Sequence, residues 1–470
     1  MPSDAPQQPV SPESPPQSSS TLFENSHGVS VDGSSFQTFS GLNINVNVET
    51  GRTSDLVSPG KPPPLPVQRS CDIYYRHLAV KGRGSPLWLP APNWNLPKEY
   101  RRTGISIGDV GRITASGSFD FLFNILLPPD HPVHAGRVPE MFSPLYPPLD
   151  LDDVEMQEEF ADDSYLASAS VEKAQQDGQG SSGLTFETTD SEGAILTIPK
   201  GSDSSDLLNL TRFREYLAAN VESWYRYTNG QRGREAKNGD LRLVIGWDKA
   251  TAWGMATFSR SSKAATLFRL DFKPLEQTGR RYKWVYSGMA EGRTGPSTRE
   301  VAELRRASEP EDVAFANQCL FIRTINHSLS DEVWERLKAT KFGTIKSGDS
   351  AEYGSSSKAG KLEGKAKSTY AAQNPAGISS VALNQVADSS LTPSLLLHPS
   401  TSINEHLLRE NPNARIAITE DINWISVLTE DDDSLPLNSH IVQRVLESHD
   451  IRTNGGKDST IHILRIYERA

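Results

Sequence analysis

Apolar side chains recur at steps of three and four from Leu207 through Leu210, Phe213, Leu217 and Val221 to Trp224, which lays them along one stripe of a helix. Ser204 or Ser205 is placed to cap its start, and Asn229-Gly230 supplies residues that tolerate a left-handed stop. Beyond a basic turn the period falls to two. Leu241, Leu243 and Ile245 alternate with Arg242 and Val244 after Asn238-Gly239, a hairpin-type signal. The alternation continues over Trp253, Met255 and Thr257, then Phe268, Leu270 and Phe272, then Tyr282, Trp284 and Tyr286. Gly and polar turns separate these runs, so they read as an antiparallel β-meander packed with the amphipathic helix. Trp224, Trp247, Trp253 and Trp284 fall in this region and mark residues 183–340 as the central α+β domain.

On the N-terminal side, residues 71–148 read as a Pro-rich β segment packing on that core. Ile73, Tyr74, His77, Leu78 and Val80 indicate a short helix. The prolines of residues 85–97 forbid a helix and favour an extended strip that inserts Trp88 and Trp94 into pockets. Two strands, 104–111 and 119–125, flank the turn Ser116-Gly117-Ser118. Residues 149–182 read as an acidic linker, because Asp150, Asp152, Asp153, Glu155, Glu158, Glu159, Asp162 and Asp163 occur with no Lys or Arg among them. A functional version of that run folds back on basic residues as an electrostatic lid.

Residues 341–392, rich in Ser, Ala, Gly and Lys, read as a flexible linker, and residues 393–470 as a small α/β domain. In the latter, Ser402 and Glu405 form a capping box for a helix carrying Leu407 and Leu408, and residues 414–418 form a strand. Ile441 and Val445 mark a second helix, and Ile461 and Ile463 a last strand. Residues 1–70 are a Pro-, Ser- and Gln-rich arm expected to be disordered. Within it, residues 22–48 are β-prone and end in Asn43-Ile44-Asn45-Val46-Asn47-Val48, which admits a self-associating zipper or an edge strand. Pro63-Pro64-Leu65-Pro66 is a polyproline-II segment, read either as a ligand for an aromatic groove or as a spacer.

Composition narrows the function classes. The 470 residues carry a net charge of −11, which does not suit a general polyanion binder, so nucleic acid is not expected as a partner although a local basic patch remains open. Cys71 and Cys319 are the only cysteines, too few for a disulfide framework or a cysteine zinc site. With no basic-apolar leader and no apolar run of about 20 residues, a soluble protein of the cytoplasm, or alternatively of the nucleus, that does not span a membrane is expected.

No reaction is written in the chain. Gly104, Gly108 and Gly111 match neither the dinucleotide fingerprint nor the P-loop, and His131 and His134 lack a third metal ligand. No catalytic, metal or cofactor residue is assigned. The basic turn at residues 231–239 is the leading ligand candidate: Arg232, Arg234 and Lys237 suit a carboxylate or phosphate, or simply complement the preceding helix dipole. Asp248 and Lys249, between Trp247 and Trp253, either pair across a turn or line a pocket.

Several runs carry a resemblance. Gly84-Ser85-Pro86-Leu87-Trp88, Ile107-Gly108-Asp109-Val110-Gly111, Gly246-Trp247-Asp248-Lys249 and Asn317-Gln318-Cys319 together resemble a family of proteins from mushroom-forming (basidiomycete) fungi. Residues 22–48 are similar to segments near the N-termini of fungal proteins with NACHT-type signalling domains. The resemblance implies an intracellular interaction or regulatory role in fungal self-recognition or defence, with self-association or a protein partner engaged through residues 22–66, and it brings no assigned chemistry. The alternative is an enzyme or anion-binding module using the basic turn, Asp248 and Lys249.

Overall fold

The computed structural model describes residues 69–174, 183–260, 267–275, 281–286, 288–340, 398–454 and 460–465. The β-prone segment 22–48, Pro63-Pro64-Leu65-Pro66 and the linker 341–392 lie outside them. In chain order come α1 (Ser70–Ala79), β1 (Ser85–Pro86), α2 (Lys98–Thr103) and the hairpin β2 (Asp109–Ile113) and β3 (Phe119–Asn124). Six strands follow: β4 (Val154–Phe160), β5 (Ser164–Ala167), β6 (Glu172–Lys173), β7 (Leu184–Thr188), β8 (Glu192–Ile198) and β9 (Ser202–Leu207). The chain continues through α3 (Leu210–Arg226), β10 (Arg242–Ala250), β11 (Trp253–Ser259), β12 (Phe268–Pro274), β13 (Tyr282–Tyr286), β14 (Ala290–Gly295), α4 (Thr298–Leu304), β15 (Gln318–Leu329) and α5 (Asp331–Ala339). Beyond residue 397 lie α6 (Pro399–Glu410), β16 (Ile416–Glu420), α7 (Asp421–Ile425), α8 (Asn438–Ser448), β17 (His449–Asn454) and β18 (Thr460–Arg465).

These elements make an α+β protein. Ten strands form one sheet in the order β17-β18-β16-β15-β10-β2-β3, with β9 beside the second half of β10, β4 beside β9, and β1 beside β15. Among its named strands only β16 and β18 run parallel. The period-two pattern sends alternate residues to opposite faces. Leu243 and Ile245, Ile325 and Leu329, and Ile416 and Ile418 meet Phe213, Leu217, Val221 and Trp224 of α3 and Val333 and Leu337 of α5. Ala417 points the other way, into Ile403, Leu407, Trp424, Ile441 and Val445 of α6, α7 and α8.

Two four-stranded sheets, β14-β11-β8-β5 and β13-β12-β7-β6, pack face to face over Phe186, Ile195, Phe258, Phe268 and Phe272. The outer face of the first, through Leu196, Ile198 and Met255, closes on Tyr74 and Leu78 of α1 and on Phe321 of β15. A Cβ at Gly254 would run into the Phe272 ring and the Thr197 hydroxyl inside this sandwich. Gly254→Ala is therefore expected to cost about 1–3 kcal/mol, measured by urea denaturation; an unchanged midpoint would mean that the two sheets shift apart freely.

Several expectations change. The strands read over residues 241–286 all form, but they are dealt into three sheets, and of these only β12 and β13 pair with each other. Ser204 and Ser205 lie in β9, whose backbone is held by β4 and β10, and the helix starts behind Asn209 instead. At its other end α3 runs on through a π turn, Tyr227–Gln231, and Gly233 takes the left-handed conformation at φ 57°. Asn238-Gly239 makes no hairpin: the Asn238 amide brackets Leu329, donating to its carbonyl at 2.7 Å and accepting its N–H at 2.8 Å.

The acidic run is not a linker through residues 154–173. It supplies β4, β5 and β6, because alternation in Val-Glu-Met-Gln suffices for an edge strand whose outward carboxylates discourage further pairing. Its acids meet cations of the folded body, Glu159 on Arg83 at 2.7 Å and Asp153 on Arg212 at 3.6 Å, and not the basic turn. Residues 398–465 are not a separate domain either, since β16 hydrogen-bonds directly to β15. Helix α6 begins at Pro399, with His398 accepting the Ser400 N–H, which leaves Ser402 inside the helix. Trp88 is buried as expected. Trp94 is 48% exposed, its ring faced by the Arg299 and Arg101 guanidiniums at 5.5 and 6.0 Å.

Candidate functional site: a cavity floored by Arg242

The five residues singled out in the sequence do not form one site. Asp248 and Lys249 are neighbours on β10 and so face opposite sides of the sheet. Asp248 is fully buried and held by two arginines: Arg83 donates through Nε at 2.9 Å and Nη2 at 3.0 Å, and Arg323 through Nη1 at 2.8 Å. Arg323 also grips Asp206. Three of the roughly four acceptor sites of this carboxylate are taken by these guanidiniums, and the cluster ties β9, β10 and β15 to the loop after α1. Lys249 donates to the Thr103 carbonyl at 2.8 Å with its ammonium 4.0 Å from the Trp247 ring centre. Burial pushes it down to about 8, against the pull of Cys319 and Asp109.

The basic turn is divided as well. Arg234 pairs with Asp120 at 3.1 Å, and Asp120 also accepts Arg112 at 3.3 Å. Arg232 is half-buried, and its Nε has no partner among the described residues. Lys237 is exposed and lines a cavity of about 430 Å³. Into this cavity α1 contributes Tyr75, the strip after β1 contributes Trp88, β2 contributes Arg112, and His398 arrives from the start of α6.

Arg242, the first residue of β10, lies at the floor. It is 7% exposed, and its single hydrogen bond among the described residues runs from Nη1 to the Ser85 hydroxyl at 3.3 Å. Its Nε has no partner, and no described carboxylate lies within ion-pair distance of it. A buried guanidinium held by one neutral oxygen keeps most of its desolvation cost. The alternation that hid Arg242 in the sequence explains its placement: Leu243 must enter the α3 core, so Arg242 faces the other side.

Beneath it lies a serine, a histidine and an aspartate. The His398 Nε2 is 3.2 Å from Asp421 and 3.1 Å from the Ser85 hydroxyl, while Nδ1 accepts the Ser400 N–H at 3.2 Å. Nucleophilic catalysis needs the serine on one ring nitrogen and the carboxylate on the other. Here both share Nε2, which is the protonated nitrogen once Nδ1 accepts, so Ser85 has no base to activate it. Burial, reinforced by Arg242, pushes His398 down to about 4. Asp421 stays below the usual carboxylate range against the penalty of its burial, because His398, Arg242 and the Trp424 N–H stabilise its charge. It also accepts the Thr324 N–H and hydroxyl and the Asn326 amide at 2.8–2.9 Å, fastening α7 to β15. This set is a brace for the cavity floor. Sequence reasoning missed it, since residues 85, 242, 398 and 421 share no local pattern.

His131 and His134 are used locally: the first accepts the Val133 N–H, and the second accepts the Asn124 N–H and lies 3.0 Å from the Pro128 carbonyl. Among the described residues no group of three or more His, Cys, Asp or Glu is placed to hold a metal ion, and no helix is long and apolar enough to cross a membrane. No protein-family model matches the chain, and no curated protein or solved structure shows significant similarity to it.

Proposed function

We propose that the folded body is a binding module for a small organic anion, seated in the cavity floored by Arg242. The observation that carries this reading is a guanidinium more than nine-tenths buried, lining a cavity, that makes no ion pair among the described residues, although Asp72 and Asp240 share the lining and Asp421 lies behind it. An anionic head between Arg242 and Lys237 supplies the missing counter-charge, and Tyr75, Pro86, Trp88 and Ile113 offer walls for an apolar body. Without a base for Ser85 and with Asp248 enclosed by arginines, recognition is favoured over catalysis.

The test is calorimetric titration of the full chain with benzoate and phenyl phosphate. One-to-one binding is expected, weakened about 100-fold in Arg242→Met, as for loss of a charge-assisted hydrogen-bonded pair of about 3 kcal/mol. The double substitution Arg232→Ala and Arg234→Ala is expected to leave binding within about twofold, because neither side chain lines the cavity. Equal binding by folded Arg242→Met, or loss of binding in the double variant alone, would return the site to the basic turn.

A further inference from the structure

A second cavity, of about 480 Å³, shares no lining residue with the first. It is built by α2, the turn before β2, the end of β3 and the short helical turn Pro132–His134. At its floor is Asp109, 1% exposed. Oδ1 accepts the Asn124 amide at 2.8 Å, and Oδ2 accepts the Tyr100 hydroxyl at 3.0 Å and the Ser106 N–H at 2.9 Å. An ionised carboxylate offers roughly four lone-pair sites, so one on Oδ1 is left. Among the described residues Asp109 makes no ion pair; the nearby Lys249 spends its hydrogen bond on Thr103.

The rest of the lining favours a positively charged guest with an apolar body. Ile107, Leu126, Leu127 and Val133 supply hydrocarbon. Arg102 is satisfied elsewhere, with Glu309 at 3.1 Å and the Phe315 ring 4.6 Å below its guanidinium. Glu99 and Arg306 place one charge of each sign in the lining, so the buried carboxylate decides the sign of the floor.

We propose that this cavity binds a small organic ammonium, its N–H donating to Asp109 Oδ1 and its hydrocarbon resting on Ile107, Leu126, Leu127 and Val133. Such binding is linked to protons. Burial pushes Asp109 up to about 7, opposed by its three hydrogen-bond donors and by Lys249. An ammonium favours the ionised form, so the contribution of Asp109 to affinity is level above pH 7 and falls about tenfold per unit below it. The other groups facing Asp109 are Tyr100 and Cys319, both pushed up by burial and protonated throughout this range, and Lys249, which burial pushes down to about 8, so that its charge begins to leave at the upper end and favours the ammonium there. Glu99, Arg102, Arg306 and His131 complete the ionisable lining, and His134, pushed down by burial, lies behind Asn124; His131→Gln is the control variant for the lining imidazole.

The experiment is titration of the full chain with benzylammonium and with neutral benzyl alcohol at about pH 8 and about pH 6. Benzylammonium is expected to bind one-to-one, at least tenfold tighter than the alcohol and about tenfold weaker at the lower pH, in both the native chain and His131→Gln. Asp109→Asn is expected to abolish the preference for the ammonium. Leu127→Trp, which puts an indole across the apolar wall and leaves the carboxylate, is expected to abolish binding of both. Equal affinities for ammonium and alcohol, no binding of the ammonium, or ammonium binding retained in folded Leu127→Trp would each overturn the proposal.

Discussion

Asp248→Ala is expected to destabilise the protein by about 3–5 kcal/mol, the range for breaking a buried ion pair from one side. The carboxylate is fully buried and receives three charge-assisted hydrogen bonds from Arg83 and Arg323. Removing it leaves two guanidiniums facing each other. Their side chains are 24% and 15% exposed, which lets water screen part of the repulsion and favours the lower end of the range. Asp248→Asn keeps the shape and loses the charge, so it should fall between native and alanine. Guanidinium chloride screens ionic contacts, so urea denaturation is the measurement to use. A loss under about 1 kcal/mol would show that Glu159 and Asp206, which already pair with Arg83 and Arg323, neutralise them without Asp248, and would reopen Asp248 as a ligand group.

The opposite sign is expected at His327. This residue sits on β15 against Trp224 and Tyr225, with ring centres 6.4 and 5.6 Å away, and neither of its nitrogens has a partner among the described residues. Burial pushes it from its ordinary 6.5 down to about 3. Above pH 6.5 both folded and unfolded chains hold it neutral. Below that value the unfolded chain takes up a proton that the folded chain refuses, so stability is lost as pH falls toward 3. His327→Phe removes this loss and two unsatisfied buried polar atoms. It should stabilise by about 1–3 kcal/mol at pH 7, and by a further 1.4 kcal/mol or so per unit below 6.5. Asp109 works the other way, because its raised value makes the folded chain hold a proton that the unfolded chain releases. The quantity to read is therefore the difference between variant and native chain at pH 7 and pH 5; a constant difference would mean that His327 is hydrated inside the fold.

How far the sequence carries depends on the distance over which each feature is decided. The stripe of Phe213, Leu217, Val221 and Trp224 predicts α3 because one helix face is a local property, and the same holds for α8. Of the strands read at 104–111 and 119–125, the second forms at 119–124 and the first forms later than read, at 109–113, because the turn of a few residues fixes the hairpin while residues 104–108 are not strand. Which strand pairs with which is not local: β10 finds β15 more than sixty residues on and β2 more than a hundred back. The acidic run misled because charge density was weighed above alternation. Asp248 and Lys249 were legible as unusual polar residues between tryptophans, yet only tertiary pairing shows that arginines enclose the first and that the second reaches Thr103. Arg242 looked like the polar half of an alternating strand, and no pattern within ten residues of it reveals a cavity walled by residues 75, 88 and 398.

The place of β16 inside the large sheet has a further consequence for biogenesis. During synthesis β15 emerges with residues 325–329 lacking their neighbour, which follows about 90 residues later. At about 5–20 residues per second that edge stands open for roughly 5–20 s. His398 and Asp421 arrive in the same late segment, so the floor under Arg242 is assembled late. A nascent chain stopped before residue 416 holds β15 with an open edge at residues 325–329, the kind of unpaired strand edge that chaperones cover.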